Sequence, residues 1–123
     1  MYIRKLYICI MGTTNGMLKG SLQTIILKLL KENNKMYGYE ITQKVRDITK
    51  GEIILTEGAM YPSLHKMEAE GILSTSTEMV DNRVRKYYAL TQQGHIEVES
   101  KMTEAKSFIL NLQLLLNLNP KLS

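Results

Sequence analysis

Tryptophan is absent from this 123-residue chain, phenylalanine and cysteine occur once each, and proline and histidine twice each. Each scarcity removes a class of chemistry. A single thiol, Cys9, excludes an internal disulfide and any cysteine-based zinc site, and it suits a reducing cytosol, so the expected location is cytoplasmic. His65 and His95 have no histidine partner at metal-ligand spacing, no glycine-rich phosphate loop occurs, and Cys9 has no base nearby. No enzyme, metal site or cofactor is therefore expected. Nor is a membrane span: the apolar run "LYICIMG" behind Arg4 and Lys5 is too short for a bilayer, and no small-residue cleavage site follows it. Residues 1–17 read as an N-terminal extension, and Met11 and Met17 leave a later natural start open.

What is present is the make-up of one ordinary domain. An apolar content of 44% and a charged content of 23% are enough to fold and too apolar for disorder. The net charge of +4 is compatible with a polyanionic partner, but where the cations sit decides more than their number.

"SLQTIILKLLK", from Ser21 to Lys31, carries a wide apolar stripe of Leu22, Ile25, Ile26, Leu29 and Leu30 at helical spacing. "YGYEITQKVRDI" opens a second helix with Ile41, Val45 and Ile48 on one face, and Gly38 at its start permits a close backbone contact. "TKGEIIL" reads as a turn into a short extended piece. Thr56 is placed to cap a third helix, in which Met60, Leu64 and Met67 share the core face and which Gly71 ends. Two β-rich segments follow, "ILSTSTEMV" and "VRKYYAL", joined by the turn-forming pair Asp81 and Asn82. Thr91 caps a last long helix running to about Leu118, where Asn119 and Pro120 stop it.

Three helices, a two-stranded hairpin and a long helix make a mainly α fold with a small β-hairpin: a winged helix-turn-helix over residues 18–92, then a C-terminal dimerisation helix and short tail over 93–123. In such a fold the third helix enters a major groove and the hairpin touches the flanking backbone. The helix surface away from Met60, Leu64 and Met67 is small, polar or basic: Gly58, Ala59, Pro62, His65, Lys66 and Ala69. Pro62 stands in the second turn, where it is tolerable if the first turn is 3₁₀-like or the regular helix begins near Ala59, because its missing amide then had no partner to lose. Around the hairpin turn, "DNRVRKYY" sets Arg83, Arg85 and Lys86 within four residues, with Arg83 and Arg85 on one side and Val84, Tyr88 and Leu90 free to face the core. Either feature alone is more often plain surface. Together, in this order, they point to double-stranded DNA, with Thr56, Gly58, Ala59, Tyr61, Pro62, His65 and Lys66 on the helix and Asn82, Arg83, Arg85 and Lys86 on the wing as the contact set.

"GSLQTIILKLL", "YGYEI", "EGAMYPSLHKMEAEGIL" and "RVRKYYALTQQG" resemble the PadR family of bacterial transcriptional regulators over about Leu18 to Gly94. The resemblance implies a winged-helix dimer, usually a repressor, in which Tyr61 and Pro62 begin the DNA-facing part of the recognition helix and Arg83 to Lys86 form the wing. Two departures stand out. Ala59 and Met60 replace a frequent threonine and leucine, and Asn82-Arg83-Val84-Arg85 replaces a common Gly-Arg-Pro-Arg wing, so Val84 is expected to leave the wing more flexible.

Val98, Met102, Ala105, Ile109, Leu112 and Leu116 are spaced four, three, four, three and four, an a/d seam over almost three heptads. Two chains are expected to pair through it, as the resemblance also implies, and such a dimer selects a roughly palindromic operator with half-sites about one DNA turn, ~34 Å, or a multiple apart. Some relatives bind flat apolar compounds between the dimer helices. A small apolar effector is compatible with this Met- and Leu-rich seam, and no residue is assigned to it. The rival reading is a winged-helix protein-interaction module or ligand sensor without autonomous DNA binding, which predicts no salt-dependent affinity for DNA.

Overall fold

The computed structural model describes residues 16–118, so Cys9 and most of the N-terminal extension lie outside the described residues. Four helices and three strands follow in the order α1 (Gly16–Glu32), β1 (Met36–Tyr37), α2 (Gly38–Ile48), α3 (Glu57–Ala69), β2 (Leu73–Val80), β3 (Arg83–Leu90) and α4 (Gln92–Leu115). The fold is a winged helix-turn-helix extended by a long C-terminal helix. The strands form one antiparallel sheet in the order β1-β3-β2.

β1 was not legible in the sequence. Met36 pairs with Tyr88 and Tyr37 with Tyr87, so the two residues before α2 close one edge of the hairpin. Along the hairpin the register runs from Leu73 opposite Leu90 to Val80 opposite Arg83. Asp81 and Asn82 both take positive φ, 50° and 62°, the primed geometry that suits the twist of two-residue hairpins.

The core is apolar throughout. Leu22, Ile26, Leu27 and Leu30 of α1 meet Ile41 and Val45 of α2, Met60, Leu64 and Met67 of α3, and Tyr88 of β3. Ile25, expected in the stripe, is only half-buried, whereas Leu27, outside that stripe, is fully buried in the core. Ile48, expected to share the face of Ile41 and Val45, is 65% exposed at the end of α2.

Thr56 caps α3 as expected, its hydroxyl accepting from the Ala59 amide. Helix α3 nevertheless runs regularly from Glu57, with the Met60 amide donating to the Thr56 carbonyl at 3.0 Å. Pro62 is therefore the sixth residue of the helix, three positions beyond Ala59, the last whose amide lacks an i−4 partner, and it leaves the carbonyl of Gly58 without its helical donor. The 3₁₀ element survives only as a second bond, from the Ala59 amide to the same Thr56 carbonyl at 3.2 Å.

The last helix divides between two environments. Thr91 caps it, accepting from the Gly94 amide while its own hydroxyl lies 2.6 Å from the Gly71 carbonyl. Val98 is fully buried in the domain core and Met102 packs against that core, so the first two positions of the heptad seam are consumed within the chain, contrary to their expected place in a dimer seam. The reason is the α1 stripe, which is too wide for α2 and α3 to cover alone. Beyond Met102 the helix leaves the domain, and Phe108, Ile109, Leu110, Leu114 and Leu115 are all more than half exposed.

Candidate nucleic-acid interface

The exposed side of α3 presents Gly58, Pro62, His65 and Lys66. Ala59 does not belong with them: it is half-buried and packs against the core, because the helix meets α1 along that edge. Thr56 is half-buried and its hydroxyl is engaged in the cap. Glu57 is exposed in the first turn, where a carboxylate already satisfies the helix amino terminus and competes with phosphate for it.

Tyr61 lies inside the fold more than outside it. Its side chain is half-buried against the core, and a Cβ added to Gly38 would lie 2.3 Å from the Tyr61 hydroxyl oxygen. The glycine thus provides the seat on which the phenol rests, and this contact fixes how α3 meets the start of α2. Burial, with the charge of Glu57, raises the Tyr61 pKa above the ordinary phenol value. The Tyr61 ring also lies 6.1 Å from the His65 ring, between centroids.

The hairpin holds its cations in three different ways. Arg83 and Asn82 are exposed at the tip. Lys86 reaches back to α3, 3.7 Å from a carboxylate oxygen of Glu68, and the other Glu68 oxygen accepts from the Thr75 hydroxyl at 3.1 Å. One glutamate therefore ties both wing strands to the recognition helix. Arg85 lies on the opposite face of the sheet, its guanidinium 4.1 Å from the centroid of the Tyr37 ring. Tyr37 meets Tyr87 edge-on with centroids 5.5 Å apart, and a hydrogen bond to Tyr87 raises the Arg85 pKa. Lys35 adds a cation 4.8 Å from the Tyr87 ring and an ion pair with Glu78.

One expectation about the wing is corrected. Val84 lies on the core side of the strand by alternation, but the hairpin projects past the core there, and Val84 and its cross-strand partner Met79 are 68% and 70% exposed. The ladder runs on through Met79–Val84 to Val80–Arg83, valine being suited to a strand position.

The sequence reading missed Tyr37, Glu68 and Thr75. Glu68 stands in a motif whose pattern assigns it no role, and only its position in the last turn of α3, within reach of Thr75 and Lys86, gives it one. Among the described residues no group of three or more His, Cys, Asp or Glu side chains could hold a metal ion.

A three-helix unit with a sheet-borne basic wing beside the solvent face of its third helix defines a winged helix-turn-helix protein. Residues 26–100 match the transcriptional regulator PadR-like family, and the chain belongs to that family. A PadR-like transcriptional regulator from Bacillus cereus is similar in structure, with 28% identity and a TM-score of 0.69 over 81% of this chain and 95% of that one. A PadR family transcription regulator from Clostridium difficile R20291 shares 30% identity at a TM-score of 0.65, over 79% of this chain and 98% of its own. The transcriptional regulator Rv3488 of Mycobacterium tuberculosis is 32% identical over 62 residues, half of this chain and 55% of that protein. The family and these neighbours are transcription regulators. No helix among the described residues is long and apolar enough to cross a membrane.

Proposed function

We propose that two copies of this chain pair through the distal half of α4 and place their α3 helices in successive major grooves of a roughly palindromic operator, repressing transcription in the cytoplasm without enzymatic activity. The observation that carries this reading is the wing: the hairpin carries Arg83, Arg85 and Lys86, the exposed face of α3 carries Pro62, His65 and Lys66, and Glu68 holds wing and helix in one frame. Pairing is supported by the apolar residues beyond Met102. Leaving a leucine, isoleucine or phenylalanine in water forgoes about 1.5–3 kcal/mol each relative to full burial, and Phe108, Ile109 and Leu112 border a groove of about 560 Å³ against Gly20 and Thr24 of α1. A second helix is the shape that fills it.

A second apolar groove, about 570 Å³ and lined by Ile25, Leu29, Ile53, Met102 and Ile109, favours one addition to this reading: a small apolar effector that sets the pairing angle. The test is fluorescence anisotropy of duplexes tiled across the DNA upstream of the protein's own gene, at two salt concentrations, with Arg83→Ala/Arg85→Ala alongside. Tight binding to one tile, weakened by salt and by the double substitution, is the expected result. Equal weak binding to every tile, or none, would move the function to a protein-interaction module.

A further inference from the structure

Arg85 is the one wing cation whose position is set by an aromatic ring from outside the hairpin, the half-buried Tyr37 of β1. An arginine held over a tyrosine ring and hydrogen-bonded to Tyr87 has already lost part of the side-chain freedom that a phosphate contact would otherwise have to remove. Tyr37 is itself held on several sides. It is in ladder register with Tyr87, its amide donates to Glu40 Oε1 at 3.1 Å, and its ring meets Tyr87 edge-on. The next residue is Gly38, on which the Tyr61 phenol of α3 rests, and Tyr61 in turn neighbours His65. A continuous run of contacts thus leads from the wing cation through Tyr37 and Gly38 to the exposed face of the recognition helix. Glu78, which faces Arg85 across the ladder, is engaged by Lys35.

We propose that Tyr37 is a positioning residue for DNA recognition: its ring presents the Arg85 guanidinium to a backbone phosphate on the face of the wing opposite the one that Glu68 of α3 holds. This rests on the DNA-binding reading above. Lys86 carries no such role, being held by Glu68 on the opposite face of the sheet.

The experiment is a double-substitution cycle on the full chain, using the duplex tile that binds and reading anisotropy across a salt series. Arg85→Ala is expected to weaken binding and to lower the salt slope by about one. Tyr37→Leu is expected to weaken binding about two- to fivefold, the range an exposed cation–π contact supplies, while Tyr37→Phe retains affinity because the ring remains. In the Arg85→Ala background Tyr37→Leu should cost nothing further. Arg85→Lys tests the same point with Tyr37 intact: a point charge that cannot stack is expected to bind more weakly than arginine. Equal losses from Tyr37→Leu in both backgrounds, or full affinity for Arg85→Lys, would overturn the role of Tyr37 while leaving the regulator reading in place. Failure of the unmodified chain to bind any tile would overturn both.

Discussion

Gly94→Ala should destabilise this protein although it replaces glycine by alanine inside a helix. In an exposed helix interior that exchange stabilises by roughly 0.5–1 kcal/mol, since alanine has less backbone entropy to lose. At Gly94 a Cβ would stand 2.2 Å from the Ile72 carbonyl oxygen and 3.2 Å from a Leu90 methyl. Ordinary carbon–oxygen contacts lie near ~3.3 Å, so something must move by about 1 Å. The Ile72 oxygen is not free to give way. It accepts from the Thr91 amide at 3.0 Å and from the Thr91 hydroxyl at 3.0 Å, and Ile72 and Leu73 are both buried. The alternative is for α4 to lift, which pulls Val98 out of the core. Overpacking costs ~1–3 kcal/mol and a lost hydrogen bond about 1 kcal/mol more, so the net after the helical gain is a loss of about 1–3 kcal/mol. Urea unfolding followed by circular dichroism, at fixed protein concentration, measures it, with Gly58→Ala as control because a Cβ there meets nothing within 4 Å. A Gly94→Ala midpoint at or above the unmodified protein's, moving together with Gly58→Ala, would refute the reasoning.

Three further outcomes are expected. Thr56→Ala removes the cap of α3 and should lower stability by about 1 kcal/mol in the same urea assay, with Thr56→Ser close to neutral. The Lys31 ion pair between α1 and α4 lowers the Glu99 pKa, chiefly through a hydrogen bond from Lys31. Because the folded value lies below the unfolded one, the pair's contribution is present above the ordinary glutamate range and is lost as pH falls through the lowered value, so Glu99→Gln should flatten the acid limb of a stability–pH curve slightly. Ile109→Lys, on the exposed part of α4, should shift sedimentation velocity toward the monomer while leaving the circular dichroism spectrum unchanged; an unaltered sedimentation profile would place the pairing surface elsewhere.

Helices, hairpin and caps were readable because they rest on local chemistry: a 3.6-residue stripe, a threonine before it, a glycine after it, two turn residues between β-rich runs. Gly71 at φ +80° and the Asp81–Asn82 turn show the same local determination. What could not be read depends on how far another element reaches. Two residues, Met36 and Tyr37, become a strand only because β3 passes beside them. Ala59 and Val98 look like surface and seam in a helical plot, and they turn inward because α1 offers more apolar surface than α2 and α3 cover. Gly38 and Gly94 advertise a close approach without naming the partner, which proves to be Tyr61 in one case and the Ile72 carbonyl in the other. The candidate contact set was half visible in the same sense. Its cations follow from the wing motif, whereas Tyr37 and Glu68, which orient two of them, emerge only from tertiary geometry.

Helix α4 is packed into the core at one end and only loosely flanked by α1 along the other, and this makes it a lever. From Met102, its last residue packed on the core, to Leu115 it runs about 20 Å, at ~1.5 Å per residue. A tilt of about 10° at the anchor therefore sweeps its end through more than 3 Å by the same geometry. In a pair joined at those ends, the gap between the two domains is set by an angle rather than by any contact between them, and small changes in packing at the fulcrum, around Met102 and Ile25, are magnified in the separation of the two α3 helices.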